Sequence, residues 1–382
     1  MKKGLFALLL VLCCGLYLFG CGGSDTTDKT PDNTTGSNGY EIAVVTDVGS
    51  LKDGGFNQGT YEGAVAFANG DNATKKKYTY KYYQPANGSD ATDNDRISAM
   101  RQAIENGAKV IVTPGFLQAT AIETVAKENP EVKFVFIDGW NLGLKNVTAV
   151  SYKEQESGYF AGYAAVKDGY TKLGGTFGGD GTNAACNRFA YGYVQGIEAA
   201  AKELNKNVDV RISFQYGGSF SASTELQTQI SGWYNNGTEV VFACGGSMLQ
   251  SVKAAAAESN NAKIIGVDVD QAKESDKIIT SAVKGLTESV ILILKEWEAG
   301  NWDTKLADKC SNLGAAENST GLPTADASWR FTKFTKSEYT TLFNKVANGE
   351  LVIDSNIGDN MKTAAAWQDI IGGLTKVNLT IE

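Results

Sequence analysis

Three aspartates stand at the ends of short apolar runs. Asp47 follows Ile42–Val45 with Thr46 between, Asp138 directly follows Phe134–Ile137, and Asp268 directly follows Ile264–Val267. Runs of this kind read as parallel strands, and in open α/β sheets ligands sit beyond the carboxyl ends of the strands. A carboxylate there can accept paired hydrogen bonds from sugar hydroxyls or from ring N–H and amino groups. The alternative for each aspartate is an N-cap on a following helix. After Asp47 the chain continues Val48-Gly49-Ser50-Leu51-Lys52-Asp53-Gly54-Gly55-Phe56-Asn57-Gln58. Its glycines allow tight backbone geometry, and Phe56 and Asn57 arrive at a helix start. A phenyl ring at that point could stack on a flat base while Asn57 hydrogen-bonds its edge; the alternative is a ring that only packs the helix end. No Gly-Lys-Ser/Thr follows, and the glycine spacing is not that of a dinucleotide fingerprint, so the loop is not a phosphate cradle.

Other chemistries are narrowed by what the chain lacks or holds sparsely. There is no histidine, which excludes Ser-His-Asp and Cys-His catalysis and histidine metal sites. Carboxylate-only or lysine chemistry stays open, the former with Asp47 and Asp138 as an acid/base pair. Of six cysteines, Cys13, Cys14 and Cys21 lie near the N-terminus. Cys186, Cys244 and Cys310 remain, an odd set without metal-like spacing that reads as buried free thiols. No metal and no cofactor are expected. The formal net charge is -8, which disfavours nucleic acid, whose phosphates need basic patches.

The elements that would position these residues follow from periodicity. Short apolar strands alternate with amphipathic helices from Ile42 to the helix carrying Tyr159, Phe160 and Tyr163. A second such series runs from Leu173 to the long helix at Leu286–Ala299. Near-continuously apolar strands spaced by helices mean parallel sheets covered on both faces. The expected fold is therefore α/β, with two doubly wound parallel-sheet lobes. A helix is expected at Ser337–Ala347, and a short apolar turn or helix at Trp367–Gly372.

The N-terminus reads as a targeting segment. Lys2 and Lys3 precede an apolar run from Leu5 to Phe19 that is short for a membrane span. Residues 1–20 are expected to be a cleaved signal, whose two lysines take the net charge from -8 to -10 when lost. Residues 22–39, rich in Gly, Ser, Thr, Asn and Asp, read as a flexible tether.

Leu18-Phe19-Gly20-Cys21 resembles a lipobox, which implies lipidation at Cys21. The stretches DVGSLKDGGFNQGTYEG, FVFIDG, YKEQESGYFAGYAA, YGYVQGIEAA, IIGVDVDQ and ITSAVK resemble the basic membrane protein family of lipoproteins. These are purine nucleoside receptors with the type I periplasmic-binding-protein fold. The resemblance implies that Asp47, Asn57 and Asp138 contact a purine, and that Phe56 and Phe220 stack on its two faces. It implies that Asp268 takes the ribose hydroxyls with Lys284 beside it, and that Gly245 and Gly246 let backbone approach the sugar. Further implications are hinge closure on an uncharged nucleoside, delivery to an ABC permease and its ATPases, and attachment to the membrane through Cys21. The expected division is a tether at 21–39, a first lobe from 40–153 plus about 284–325, and a second from 154–283 plus about 326–382. A sugar or autoinducer receptor of the same fold is the nearest alternative; a carboxylate-based nucleoside hydrolase is the next.

Overall fold

Alternation along the first strand explains the first layer. Ile42 and Val44 join one apolar cluster, while Ala43 and Val45 join another on the opposite face. A strand buried on both faces needs helices on both sides, and the chain supplies them in order. A computed structural model describes residues 39–47, 51–214, 220–358, 361–362, 367 and 373–382. The expected signal peptide, the lipidation site Cys21 and all of the tether before Gly39 lie outside the described residues, as does the stretch after Trp367 at 368–372.

The first series comprises β1 (Ile42–Val45), α1 (Phe56–Ala68), β2 (Tyr80–Tyr83), α2 (Asp93–Glu105), β3 (Val110–Pro114), α3 (Ala119–Glu128), β4 (Lys133–Ile137) and β5 (Val147–Tyr152). The second comprises α4 (Glu154–Asp168), β6 (Lys172–Phe177), α5 (Ala184–Leu204), β7 (Val208–Phe214), α6 (Thr224–Asn235), β8 (Val240–Cys244), α7 (Met248–Ala257), β9 (Lys263–Asp268) and β10 (Ile278–Lys284). Then follow α8 (Leu286–Glu298), β11 (Lys309–Leu313), β12 (Thr320–Gly321), α9 (Lys336–Ala347) and β13 (Val377–Ile381). Two sheets form, ordered β11-β5-β4-β3-β1-β2 and β12-β10-β9-β8-β6-β7-β13. Every pairing is parallel except that of β10 with β12. This is the expected α/β architecture of two doubly wound lobes.

The chain passes between the sheets three times: β5 to α4, β10 to α8, and β11 to β12. The last passage departs from expectation. Thr320–Gly321 already pairs with β10, so the hand-over falls between Leu313 and Thr320 rather than near 325. Lys284 likewise ends β10 in the second sheet instead of opening the return to the first. The three passages are hydrogen-bonded into one bundle by the start of α4. Glu156 Oε2 accepts from Ala315 N at 2.6 Å and Thr320 Oγ1 at 2.7 Å. Ser157 Oγ donates to the Val283 carbonyl at 2.7 Å and accepts from Gly321 N at 2.8 Å.

Helices α4 and α5 pack backbone to backbone. A Cβ on Gly192 would lie 1.9 Å from the Gln155 carbonyl oxygen, and one on Gly158 2.2 Å from that of Phe189. No side chain fits in that seam, and the close approach brings the first turn of α4 beside Arg188 and Gly192, in the second and third turns of α5.

Candidate functional site

The strand ends converge on a cavity of about 280 Å³ between the two sheets. All nine expected residues line it: Asp47, Phe56, Asn57 and Asp138 from the first lobe, and Phe220, Gly245, Gly246, Asp268 and Lys284 from the second. Asp138 and Asp268 hold left-handed backbone, with φ of 56° and 67°, a conformation aspartate tolerates better than most residues. The N-cap alternative does not describe them. The next regular element after Asp138 is a strand, and Asp268 is the last residue of β9. Asp47 does not cap α1 either. Asp53 serves that helix, its carboxylate accepting from Gly55 N at 2.9 Å, Asn57 N at 2.9 Å and Gln58 N at 3.2 Å.

Lys284 is the electrostatic centre. Its Nζ lies 2.6 Å from Asp138 Oδ2, 3.2 Å from Asp268 Oδ1 and 4.0 Å from Glu154 Oε1, and 4.8 Å from the centre of the Phe56 ring. Burial pulls the ammonium down, but Asp138, Asp268 and Glu154 outweigh it and hold the pKa well above its ordinary range. Lys284 was expected beside Asp268; it sits closer still to Asp138, tying a first-lobe carboxylate to the second lobe. Burial pushes Asp268 and Glu154 upward, against the pull of Lys284 on both and of Arg188 on Glu154. Asn57 Nδ2 reaches Asp47 Oδ1 at 3.5 Å. Asn57 Oδ1 and Asp138 Oδ1 are buried with no hydrogen-bond partner among the described residues.

The glycine pair has a use that was not expected. A Cβ on Gly245 would lie 3.1 Å from Phe220 Cδ1, and one on Gly246 2.6 Å from the Phe220 carbonyl oxygen. Both glycines have positive φ. They make the bed on which Phe220 lies. The ring of Phe220 also meets Phe116, with centroids 6.2 Å apart at 60°. Phe116 and Asp53 line the cavity and escaped the sequence reading, as did Asn183, Ser221 and Ser247. Asp53 lies within the quoted loop and could have been singled out as a helix-start carboxylate. Phe116 carries no signal beyond its place after the β3 strand end. Cys186 and Cys244 are free, buried and cavity-lining, whereas Cys310 is free but exposed on the edge strand β11, contrary to the expectation of three buried thiols.

The cavity between two doubly wound lobes, closed by a lysine spanning both, is the geometry of a solute receptor. The sequence pattern of the Bmp family, described as ABC transporter substrate-binding protein PnrA-like, matches residues 40–326. The chain belongs to this family. It is similar to the ABC transporter nucleoside-binding protein BmpA of Lactococcus lactis, with 31% identity over 302 residues, 74% of this chain and 82% of that one. Basic membrane protein B of Borreliella burgdorferi is 29% identical over 269 residues, 68% of this chain and 73% of that one. The crystal structure of an ABC transporter solute-binding protein from Aeropyrum pernix K1 matches with a TM-score of 0.67, covering 88% of this chain and 97% of that one. At 22% identity it speaks for the fold alone. Bmp proteins bind substrates for ABC transporters and do not transform them. The chain is thus a substrate-binding protein and not an enzyme, and Asp47 and Asp138 are not an acid/base pair.

Proposed function

We propose that this Bmp protein captures a purine nucleoside between its lobes and delivers it to an ABC permease, held at the outer face of the cell membrane by a lipid on Cys21. The observation that carries the reading is the pair of buried acceptors without partners among the described residues, Asn57 Oδ1 and Asp138 Oδ1, in a cavity also lined by Phe56 and Phe220. Such a site asks for a flat apolar ligand that brings its own N–H and O–H donors. Among the described lining residues, Asp47, Asp53, Asp138 and Asp268 against the one cation Lys284 disfavour a phosphate. A volume near the lower end for small-molecule sites, roughly 300 Å³ upward, favours a ligand of nucleoside size over an oligosaccharide. In this reading Asp47, Asn57 and Asp138 meet the base, Phe56 and Phe220 its faces, and Asp268 and Lys284 the ribose.

The test is calorimetry with inosine, guanosine, 2′,3′-dideoxyinosine, inosine monophosphate and glucose. The ribonucleosides bind, the dideoxy form and the nucleotide bind at least tenfold more weakly by loss of a charge-assisted hydrogen bond or gain of repulsion, and glucose does not compete. Tight glucose binding without nucleoside binding would return the protein to the sugar receptors.

A further inference from the structure

The Glu-Gln-Glu-Ser start of α4 opens the second lobe, and its first residue has no part in the ligand contacts above. Glu154 is fully buried. Its Oε2 accepts from Arg188 Nε at 2.5 Å, while its Oε1 has no hydrogen-bond partner among the described residues and lies 4.0 Å from Lys284 Nζ. An ammonium can only donate and this oxygen can accept, so Glu154 Oε1 is able to receive Lys284. Glu154 follows the first passage between lobes, and Lys284 precedes the second.

We infer that Glu154 is a positioning residue, the counter-ion that lets Lys284 release Asp138 when the lobes part or when a ligand claims Asp138. Charge counting supports this. Lys284, Arg188, Asp268 and Glu154 all ride on the second lobe, two cations against two anions, and Asp138, the carboxylate paired with Lys284 across the lobes, rides on the first with Asp47 and Asp53. As the lobes separate, Lys284 leaves Asp138 and closes the 4.0 Å gap to Glu154 Oε1. The second lobe then carries no surplus charge at this point, and opening does not strand a buried cation. Without Glu154 the same lobe holds Lys284 and Arg188 against Asp268 alone, one positive charge in surplus, and the pull of Asp138 across the lobes grows. The empty protein is then clamped shut by its own ion pair, and a ligand waits for a rarer open state.

The proposal rests on the nucleoside reading only for its probe. Stopped-flow binding of inosine and small-angle X-ray scattering of the ligand-free protein are compared for wild type, Glu154→Gln, Lys284→Met and the double variant, each checked for folding by circular dichroism. Glu154→Gln is expected to slow association about tenfold, in proportion to the lost open fraction, and to lower the ligand-free radius of gyration toward the ligand-bound value. Both effects vanish when Glu154→Gln is added to Lys284→Met. Unchanged association and radius overturn the proposal. So does an effect of the same size in the Lys284→Met background, since that marks a structural role. If inosine does not bind the wild type, the nucleoside reading fails, and the scattering comparison still decides the role of Glu154.

Discussion

Asp53 shows how a helix start and burial compete for one carboxylate. Three backbone N–H groups stabilise its anion, yet burial outweighs them and pushes the pKa up to about 6 from an ordinary 3.8. Between those values the folded protein holds a proton that the unfolded chain has lost. The stability contributed by that proton is complete below about pH 4 and is lost as pH rises through 6. Asp53→Asn removes the effect while keeping an acceptor for the helix. Urea denaturation of both proteins should show the variant gaining about 2 kcal/mol on the wild type between pH 4 and 7. A difference that stays constant with pH rejects the shift. Phe56 supplies the second prediction at this scale. Stacking on a base is worth roughly 1–3 kcal/mol, so Phe56→Ala should weaken inosine binding by about 5- to 150-fold in calorimetry. An unchanged affinity in a folded variant removes the ring from the site.

At the scale of elements, the α4–α5 seam decides where the charged residues stand. Adding a Cβ at Gly192 drives it into the Gln155 carbonyl at 1.9 Å, a contact with backbone that cannot rotate away. Gly192→Ala should therefore separate the helices and cost about 1–3 kcal/mol or more, read as a lowered unfolding midpoint. Because Glu154 and Arg188 lie on the two sides of this seam, inosine affinity should fall with it. Half-buried Gly232, with nothing within 4 Å of a Cβ, is the control, and an equal loss at Gly232→Ala dismisses the packing argument. The helices and central strands were legible because each buries an apolar face or run. Edge strands β11 and β13 were not: β11 reads Lys-Cys-Ser-Asn-Leu with no fully buried position, and β13 alternates Val-Asn-Leu-Thr-Ile. An edge strand has one neighbour and needs no continuous apolar run.

For the whole molecule, capture between lobes has a use only if the receptor stays near its permease. A single acyl chain binds membranes weakly and reversibly, whereas a lipoprotein N-terminus carrying more than one chain is retained. Cys21→Ser should move the protein from the membrane pellet to the soluble extracytoplasmic fraction and abolish labelling by radioactive palmitate. Retention and labelling in the variant reject Cys21 as the anchor. The net charge of -8 points the same way, since an acidic surface is not itself drawn to anionic lipid.

The sequence by itself determined the two doubly wound lobes, because strands buried on both faces and helices buried on one leave periodic apolar signatures that need no partner to be read. It also placed Asp47, Asp138 and Asp268 at strand ends and Phe56 and Asn57 at a helix start, while Phe220, Gly245, Gly246 and Lys284 entered only through the resemblance to the family. What only the tertiary structure decided is which of these groups face one another. Lys284 stands nearer Asp138 than Asp268, Phe116 meets Phe220 across the cavity, Gly245 and Gly246 make room for a ring, and Glu154 waits behind Lys284. Distances between residues so far apart in the chain are set by how the lobes and helices pack. Charge states follow those distances and the loss of water, so neither can be read from spacing along the chain.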